Sequence, residues 1–201
     1  MSNDRPRPVP VQGDLGPCWF CGKGVSPRAL FCHACGSVQP PADLDAFARL
    51  NLPTRFDLET TAIERQATGF RRILDPARFE AKGQREKAMA ERQRTAVGSA
   101  AAILLDPLLR ARALLGLNGL EPGPAGPTLA EWEIELAIAP DAISVDRVAA
   151  RISAAVGTEL RQLSTAFRLG DLDQAAMLVG RLEGLERAGE AAHRRRRDVS
   201  A

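Results

Sequence analysis

Four cysteines near the amino terminus constrain this chain more than any other feature of its sequence. Cys18 and Cys21 form one C-x-x-C pair, and Cys32 and Cys35 form a second pair after ten intervening residues. Two residues between cysteines allow both sulfurs of a pair to turn toward one ion, and Zn²⁺ binds four such ligands tetrahedrally at about 2.3 Å from each sulfur. The spacing therefore predicts one zinc ion in a zinc-ribbon-like knuckle.

The surroundings of the cysteines favour a structural role for this zinc. Gly22 and Gly36 each follow the second cysteine of a pair, where a tight turn favours positive φ. The stretch 23–31 is long enough for a short hairpin that carries the second pair back to the first. Four thiolates leave no open coordination position, so the metal is expected to fold a segment with little apolar core, contributing on the order of 10 kcal/mol.

Two disulfides are the alternative for these cysteines, and they would suit a secreted miniprotein. The amino-terminal residues contain no apolar core of a secretion signal, and no apolar run approaches the roughly 20 residues that cross a bilayer. We therefore expect a cytoplasmic protein that does not bind membranes and whose thiols stay reduced. His33, inside the second pair, is expected to be a bystander rather than a metal ligand.

The composition argues for helices and against several functions. The chain is rich in Ala, Leu and Arg and has no Tyr, which favours helix over strand. With 27 basic and 25 acidic side chains and only 4% aromatic residues, a nucleic-acid or transcription-associated zinc-ribbon module is the less favoured reading. No catalytic triad, phosphate loop or paired carboxylates can be recognised, so we do not expect an enzyme.

Proline and glycine clusters divide the chain into five predicted segments, and the fold class is mostly α. The segments are a flexible tail at 1–17, the four-cysteine zinc knuckle at 18–41, a helical domain at 42–120, a linker at 121–127 and an antiparallel three-helix bundle at 128–197.

Local signals place several helix ends and faces. Asp106-Pro107 predicts an N-cap followed by the first turn of a helix, and Gly170-Asp171 predicts a chain reversal between two helices. A helix over about 84–104 is expected to bury Ala88, Val97, Ala100 and Leu104.

The order of these parts resembles the HscB family of J-domain co-chaperones, which act in iron–sulfur cluster assembly. The resemblance covers nearly everything after residue 17 and is strongest in DAFARLNLP at 45–53 and DPLLRARALLGLNG at 106–119. It implies that 42–120 is a J-like domain. It also implies two partners, a DnaK- or HscA-type ATPase chaperone and an iron–sulfur scaffold protein.

The resemblance implies that a basic second helix and a His-Pro-Asp turn dock on the chaperone. The corresponding residues here are Arg65, Arg71, Arg72, Asp75, Pro76, Ala77 and Arg78. Because both polar residues of the family turn are replaced, two hypotheses remain: a co-chaperone that stimulates the ATPase, and a J-like adaptor that binds partners without stimulating it. An ordinary solvated face is the alternative for the arginines.

The resemblance further implies an apolar scaffold-binding patch at the start of the bundle. The candidates are Leu129, Trp132, Ile134 and Leu136. These four side chains cannot share one narrow helical face, so at least one is expected to be left for a partner, the alternative being that all are bundle core.

A basic run, Arg194 to Arg197, ends the last predicted helix. We expect it to complement the negative end of the helix dipole and to stay solvated, contact with nucleic acid or a membrane surface being the less favoured alternative.

Overall fold

A computed structural model describes residues 15–126 and 128–200, without the side chains of Thr128 and Leu129. Residues 1–14 of the predicted tail therefore lie outside the described part of the chain. Among the described residues no helix combines the length and the apolar composition that a bilayer crossing requires.

The described residues are mostly helical, which confirms the predicted fold class. Two short strands, β1 and β2, precede seven α-helices, and a 3₁₀ turn separates α2 from α3. The bounds are β1 Gly16–Pro17, β2 Gly24–Val25, α1 Ala46–Arg49, α2 Thr60–Ile73, the 3₁₀ turn Pro76–Phe79, α3 Gln84–Leu105, α4 Pro107–Leu117, α5 Thr128–Ile138, α6 Ala142–Leu169 and α7 Leu172–Asp198.

The contacts divide the described chain into two compact units. Unit 1 comprises the residues up to Leu52 together with Glu64–Ala101, and unit 2 comprises Pro53–Ile63 and the residues from Ala102 on. The predicted helical domain at 42–120 thus contributes to both units, and the predicted domain boundaries stay a prediction.

Unit 1 contains the cysteines, α1, most of α2 and most of α3. Its fully buried side chains include Phe47 and Leu50 around α1. On the part of α3 within unit 1 the buried side chains are Met89, Ala90, Gln93, Val97, Ala100 and Ala101. Ala88, which we expected to be buried, is exposed, because nine residues separate it from Val97 and nine steps of 100° place the two on opposite faces of the helix.

Unit 2 is built on a bundle of α5, α6 and α7, as predicted. Their shared core contains Leu136 from α5 and Ala139 just after it, Val145, Val148 and Ile152 from α6, and Leu185, Ala188 and Ala192 from α7. Gly170 ends α6 with a φ of 72°, and the Asp171 side chain accepts the Gln174 N–H to start α7. The predicted reversal is therefore confirmed.

The predicted N-cap of α4 is also confirmed, since Asp106 Oδ1 accepts the N–H groups of Leu108 and Leu109 at 2.8 and 2.9 Å.

An irregular segment, 53–57, packs on the helices of unit 2. The Phe56 ring stacks on Phe167 with 5.2 Å between centroids, and the buried Arg110 guanidinium lies 5.0 Å from the Phe56 ring. Burial lowers the pKa of Arg110, while Asp57 and Asp106 act in the opposite direction. A stacked aromatic pair beneath a cation accounts for the place of this segment in unit 2.

The residues 121–126, predicted as a linker, lie against α7. The Gly123 N–H donates to Ala176 O at 2.8 Å. A Cβ on Gly180 would lie 2.0 Å from Gly123 O, and one on Gly184 would lie 3.0 Å from Ala125 O. Two glycines on α7 therefore make room for an extended chain to pack backbone to backbone.

Candidate functional site

Each cysteine pair lies at the tip of its own short hairpin. Strands β1 and β2 pair antiparallel around Cys18 and Cys21, and a bridge between Phe31 and Val38 brackets the second pair. The prediction of a hairpin within 23–31 is therefore wrong. Each cysteine pair instead lies in the turn between two short segments that pair with each other, so these segments flank the cysteines.

The two knuckles repeat the same hydrogen bonds. Gly22 N–H donates to Cys18 O at 2.9 Å, and Gly36 N–H donates to Cys32 O at 2.8 Å. Two residues after the first cysteine of each pair, a backbone N–H lies 3.4 Å from that cysteine's Sγ. Gly22 and Gly36 have φ of 72° and 74°, which confirms the predicted need for glycine at both positions.

The four sulfurs lie close enough to bind one metal ion. All four Sγ atoms are within 4.8 Å of one another, and the separations Cys18–Cys35 and Cys21–Cys32 are 3.8 and 3.7 Å. A regular tetrahedron with metal–sulfur bonds of about 2.3 Å has edges of about 3.8 Å. The residues present therefore fit a tetrathiolate metal centre. His33 is exposed and is not part of this cluster.

The thiols differ in their tendency to ionise. Burial acts to raise the pKa of Cys18, yet hydrogen bonds from the backbone at Cys21 and Phe20 and from Gln39 lower it to about 6. The backbone at Lys23 acts to lower the pKa of Cys21, yet burial and the other three sulfurs raise it to about 12. Four thiolates this close repel one another, and a bound cation would supply the compensating charge.

Two buried glutamines beside the metal centre escaped the sequence analysis. Gln39 Nε2 lies 3.4 Å from Cys18 Sγ, and Gln93 Nε2 donates to Gln39 O at 3.1 Å. The signal for Gln93 was its position four residues after Met89 and four before Val97, on the apolar stripe of α3. A polar side chain at such a position needs a buried partner.

The turn formed by Asp75, Pro76 and Ala77 is exposed between two buried residues. Asp75 Oδ1 accepts the N–H of Ala77 at 2.9 Å and caps the 3₁₀ turn that begins at Pro76. Leu74 and Phe79 are buried on either side. The carboxylate is thus engaged with its own turn, and Ala77 presents only a methyl group.

The predicted chaperone-binding arginines are all exposed. Arg65 and Arg72, seven residues apart on α2, share the face opposite Ala67. Arg71, four residues after Ala67, lies beside the buried face. Arg78 belongs to the 3₁₀ turn. Within the described residues none of the four makes an ion pair, so all remain able to meet an acidic partner.

The predicted scaffold-binding residues fall on different faces of α5. Leu136 is 3% exposed in the bundle core, and Trp132 packs partly buried against that core with the Arg151 guanidinium 4.9 Å from its ring. Ile134 is 62% exposed, while the side chain of Leu129 lies outside the described residues. Ile138, which the sequence analysis missed, is 74% exposed and follows Ile134 at i+4 spacing.

Two arginines of the basic run at the end of α7 contact other residues of unit 2, whereas we expected the run to stay solvated. The Arg195 guanidinium donates to Ala139 O at 3.0 Å, at the carboxyl end of α5. Arg196 pairs with Asp146 at 2.8 Å. These two arginines therefore tie α7 to its neighbours instead of remaining fully solvated.

Comparisons with known proteins agree with this architecture. No family model matches the chain. It is 27% identical over 179 residues to the mouse iron–sulfur cluster co-chaperone protein HscB, covering 82% of this chain and 76% of the relative. The Arabidopsis thaliana homolog of that name is also 27% identical, over 182 residues, covering 86% of this chain and 71% of the relative.

A solved structure shares the fold. The crystal structure of human co-chaperone protein HscB superposes with a TM-score of 0.81 at 23% identity, covering 92% of this chain and 100% of that chain. Along most of its length this chain is therefore similar in sequence to HscB co-chaperones, and it shares the fold of the human protein.

Proposed function

We propose that this protein is a co-chaperone of iron–sulfur cluster assembly that links a cluster scaffold protein to a DnaK- or HscA-type ATPase chaperone. The observation that carries the proposal is the alignment of 82–86% of the chain with relatives named iron–sulfur cluster co-chaperones. Two exposed surfaces, one in each compact unit, are available for the two partners.

The metal of the knuckle is proposed to be a structural Zn²⁺ held by Cys18, Cys21, Cys32 and Cys35. Tetrahedral four-sulfur sites select zinc or iron, and the sulfur separations suit either ion. The free thiols are consistent with a reducing compartment, and we propose the cytoplasm. Elemental analysis of the purified protein should find one zinc per chain, and a visible charge-transfer spectrum from bound iron would contradict this assignment.

The scaffold-binding surface is proposed to be the outer face of α5. Ile134 and Ile138 form an exposed apolar strip, and the nearby carboxylates of Glu131 and Glu133 are also exposed. A contiguous apolar strip with an acidic rim favours a partner surface that is apolar at its centre and basic at its edge. Of the other candidates, Leu136 supports this face from the core and Trp132 is proposed to extend it, while Leu129 stays a candidate from the sequence alone.

Calorimetry with a purified scaffold protein at micromolar concentration tests this surface. The substitution Ile134→Ser should weaken binding by about tenfold, because the loss of a desolvated apolar anchor costs at least 1–2 kcal/mol. The matched control is Leu169→Ser. Leu169 is 78% exposed and is the last residue of α6, whereas α5 lies just before the first residue of α6 in the chain. Equal loss in both variants, or wild-type affinity in Ile134→Ser, would exclude this face, and no binding by the wild type would exclude the scaffold role.

The chaperone-binding surface is proposed to consist of Arg65, Arg71 and Arg72 on α2 with Arg78 and the Asp75–Ala77 turn. A second candidate function is favoured at this turn: an adaptor that binds the chaperone without stimulating its ATPase. The supporting observation is that the Asp75 carboxylate caps its own turn while Ala77 has no polar group. Neither side chain can supply the contacts of a histidine and an aspartate at these positions.

A single-turnover ATPase assay with the cognate chaperone separates the two candidates. For an adaptor, the wild type leaves the hydrolysis rate at the chaperone's basal value, and the double variant Asp75→His, Ala77→Asp raises it. Strong stimulation by the wild type would exclude the adaptor. The charge-reversing variant Arg72→Glu should weaken chaperone binding in either case, with Arg168→Glu in unit 2 as the matched surface control.

A further inference from the structure

A continuous path of hydrogen bonds joins the metal centre to α3. Gln39 Nε2 lies 3.4 Å from Cys18 Sγ and donates to Ser37 O at 2.8 Å. The main-chain oxygen of the same glutamine accepts from Gln93 Nε2 at 3.1 Å, across 54 positions of sequence. Both glutamines are buried, at 6% and 3% exposure. The path therefore runs from a ligand sulfur through Gln39 to the middle of α3, entirely within unit 1.

The burial of Gln93 indicates that the role of its amide is the hydrogen bond to the Gln39 carbonyl. It lies on the apolar stripe of α3 between Met89 and Val97, where an apolar side chain of similar size would pack without needing a partner. A buried amide is tolerated only where its hydrogen bonds are made, and its removal would leave the Gln39 carbonyl buried without a donor. The contact is therefore sensitive to any displacement of Gln39.

A second contact links the knuckle to the same helix. Trp19, which follows Cys18, donates its indole N–H to Val38 O at 2.7 Å, and the Arg85 guanidinium of α3 lies 4.6 Å from its ring. Arg85 and Gln93 are separated by about 12 Å along the helix axis. Two contacts at this separation fix α3 along more than two turns, which a single contact would not do.

We propose that metal binding by the four cysteines and ordering of the first half of α3 are one coupled event, transmitted by Gln39 and Gln93 as positioning residues. A metal-bound Cys18 thiolate is a fixed acceptor for the Gln39 amide, and a fixed Gln39 presents its carbonyl to Gln93. The inference rests on the metal-binding part of the proposed function and is independent of scaffold and chaperone binding.

Reciprocity gives the first test. If metal binding favours the ordered state of α3 by some factor, the ordered state of α3 must raise the metal affinity by the same factor. Breaking the link should therefore lower the metal affinity by that factor. We expect Gln93→Met, which conserves volume and removes the amide, to lower Zn²⁺ affinity by about tenfold in competition with a chromophoric chelator. Gln84→Met, an exposed glutamine on the same helix, is the matched control and should leave the affinity unchanged. Equal affinities in all three proteins would overturn the proposal.

Amide hydrogen exchange of the full chain gives the second test. In the wild type and in Gln84→Met, removal of Zn²⁺ should increase exchange over residues 85–97 as well as in the knuckle. In Gln93→Met the increase should be confined to the knuckle. If exchange over 85–97 is the same with and without Zn²⁺ in the wild type, the coupling is absent, and this comparison decides the matter even if Gln93→Met does not fold.

Cobalt spectroscopy tests the step at the sulfur. A thiolate that loses an N–H donor becomes a better electron donor, so Gln39→Met should move the sulfur-to-cobalt charge-transfer band of the Co²⁺-loaded protein to lower energy. An unmoved band would remove Gln39 from the path. A wild type that binds neither Zn²⁺ nor Co²⁺ would instead refute the proposed metal site, so the two failures are distinguishable.

Discussion

The metal knuckle and the α5–α7 bundle reach order by different means. Around the cysteines the buried apolar cluster consists of Cys18, Val25 and Cys32 with Ala29 packed against it. The bundle buries eight core residues from its three helices and the turn after α5, with further apolar side chains packed on them. A segment with so little apolar burial cannot offset its own conformational entropy, so a bound metal would supply the difference, whereas the bundle is stabilised mainly by apolar burial.

The difference also lies in the range of the interactions. In the knuckle the contacts among the cysteines and their neighbours join residues two to seventeen positions apart, and a single bound ion would close them. In the bundle α7 contacts α4, α5 and α6, and the core forms only when distant helices meet. A change at the metal should therefore act on unit 1, and a change on α7 should act on unit 2.

Metal removal should have the largest effect. Stripping the ion with a strong chelator, or the substitution Cys21→Ser, removes binding energy on the order of 10 kcal/mol from the knuckle. We expect amides of residues 18–39 to lose their exchange protection while those of α5–α7 keep theirs. A parallel loss of protection in α5–α7 would show that the two regions do not differ in the way described.

A methyl group on α7 should have the next largest effect. Gly180→Ala places a Cβ 2.0 Å from Gly123 O and should lower the free energy of unfolding by about 2–3 kcal/mol, despite a better helix propensity. At Gly189, on the same helix, a Cβ meets no heavy atom within 4 Å.

Gly189→Ala is therefore the matched control, and it should stabilise the protein by up to about 1 kcal/mol. Both values can be read from urea unfolding followed by circular dichroism. If both variants gain stability, the segment 121–126 does not pack on α7 as closely as the structure has it.

Loss of the Arg195 contact should have a smaller effect. Arg195→Met keeps the apolar stem and removes the donor to Ala139 O, which should cost about 1 kcal/mol of unfolding free energy. The control is Arg194→Met, whose exposed pairing with Glu190 at 3.7 Å should contribute at most about 0.5 kcal/mol. If thermal unfolding shows the same loss of stability in both variants, both arginines are solvated, as the sequence predicted.

The smallest expected effect is a pH dependence at the start of α6. The hydrogen bond from the Ser144 N–H to the Asp141 carboxylate lowers the pKa of that carboxyl below its ordinary value of 3.8. A lowered folded-state pKa stabilises the protein fully above the ordinary value, and this contribution is lost as the pH falls toward the folded value. The stability difference between wild type and Asp141→Asn should therefore shrink below about pH 4, and a constant difference would contradict it.

Several elements could be predicted from the sequence because their causes are local. The paired cysteines and the glycines that follow them, the Asp106 cap and the Gly170 reversal each depend on a few neighbouring residues, and each is found where it was predicted. The split of the α5 residues was predicted only in outline. That one side chain would be left exposed followed from helical geometry, but not that it would be Ile134, with Ile138 beside it.

The sequence by itself determined the pairing of the four cysteines, the helical class and the order of the parts, since spacing and periodicity are properties of the chain alone. Only the tertiary structure decided that a predicted linker packs between glycines of α7, that Arg195 caps α5, and that Gln93 reaches Gln39 across 54 positions. Such contacts join residues whose separation along the chain carries no signal, and they exist only after the helices have packed. The four cysteines could be read from their spacing, whereas their connection to α3 required the fold.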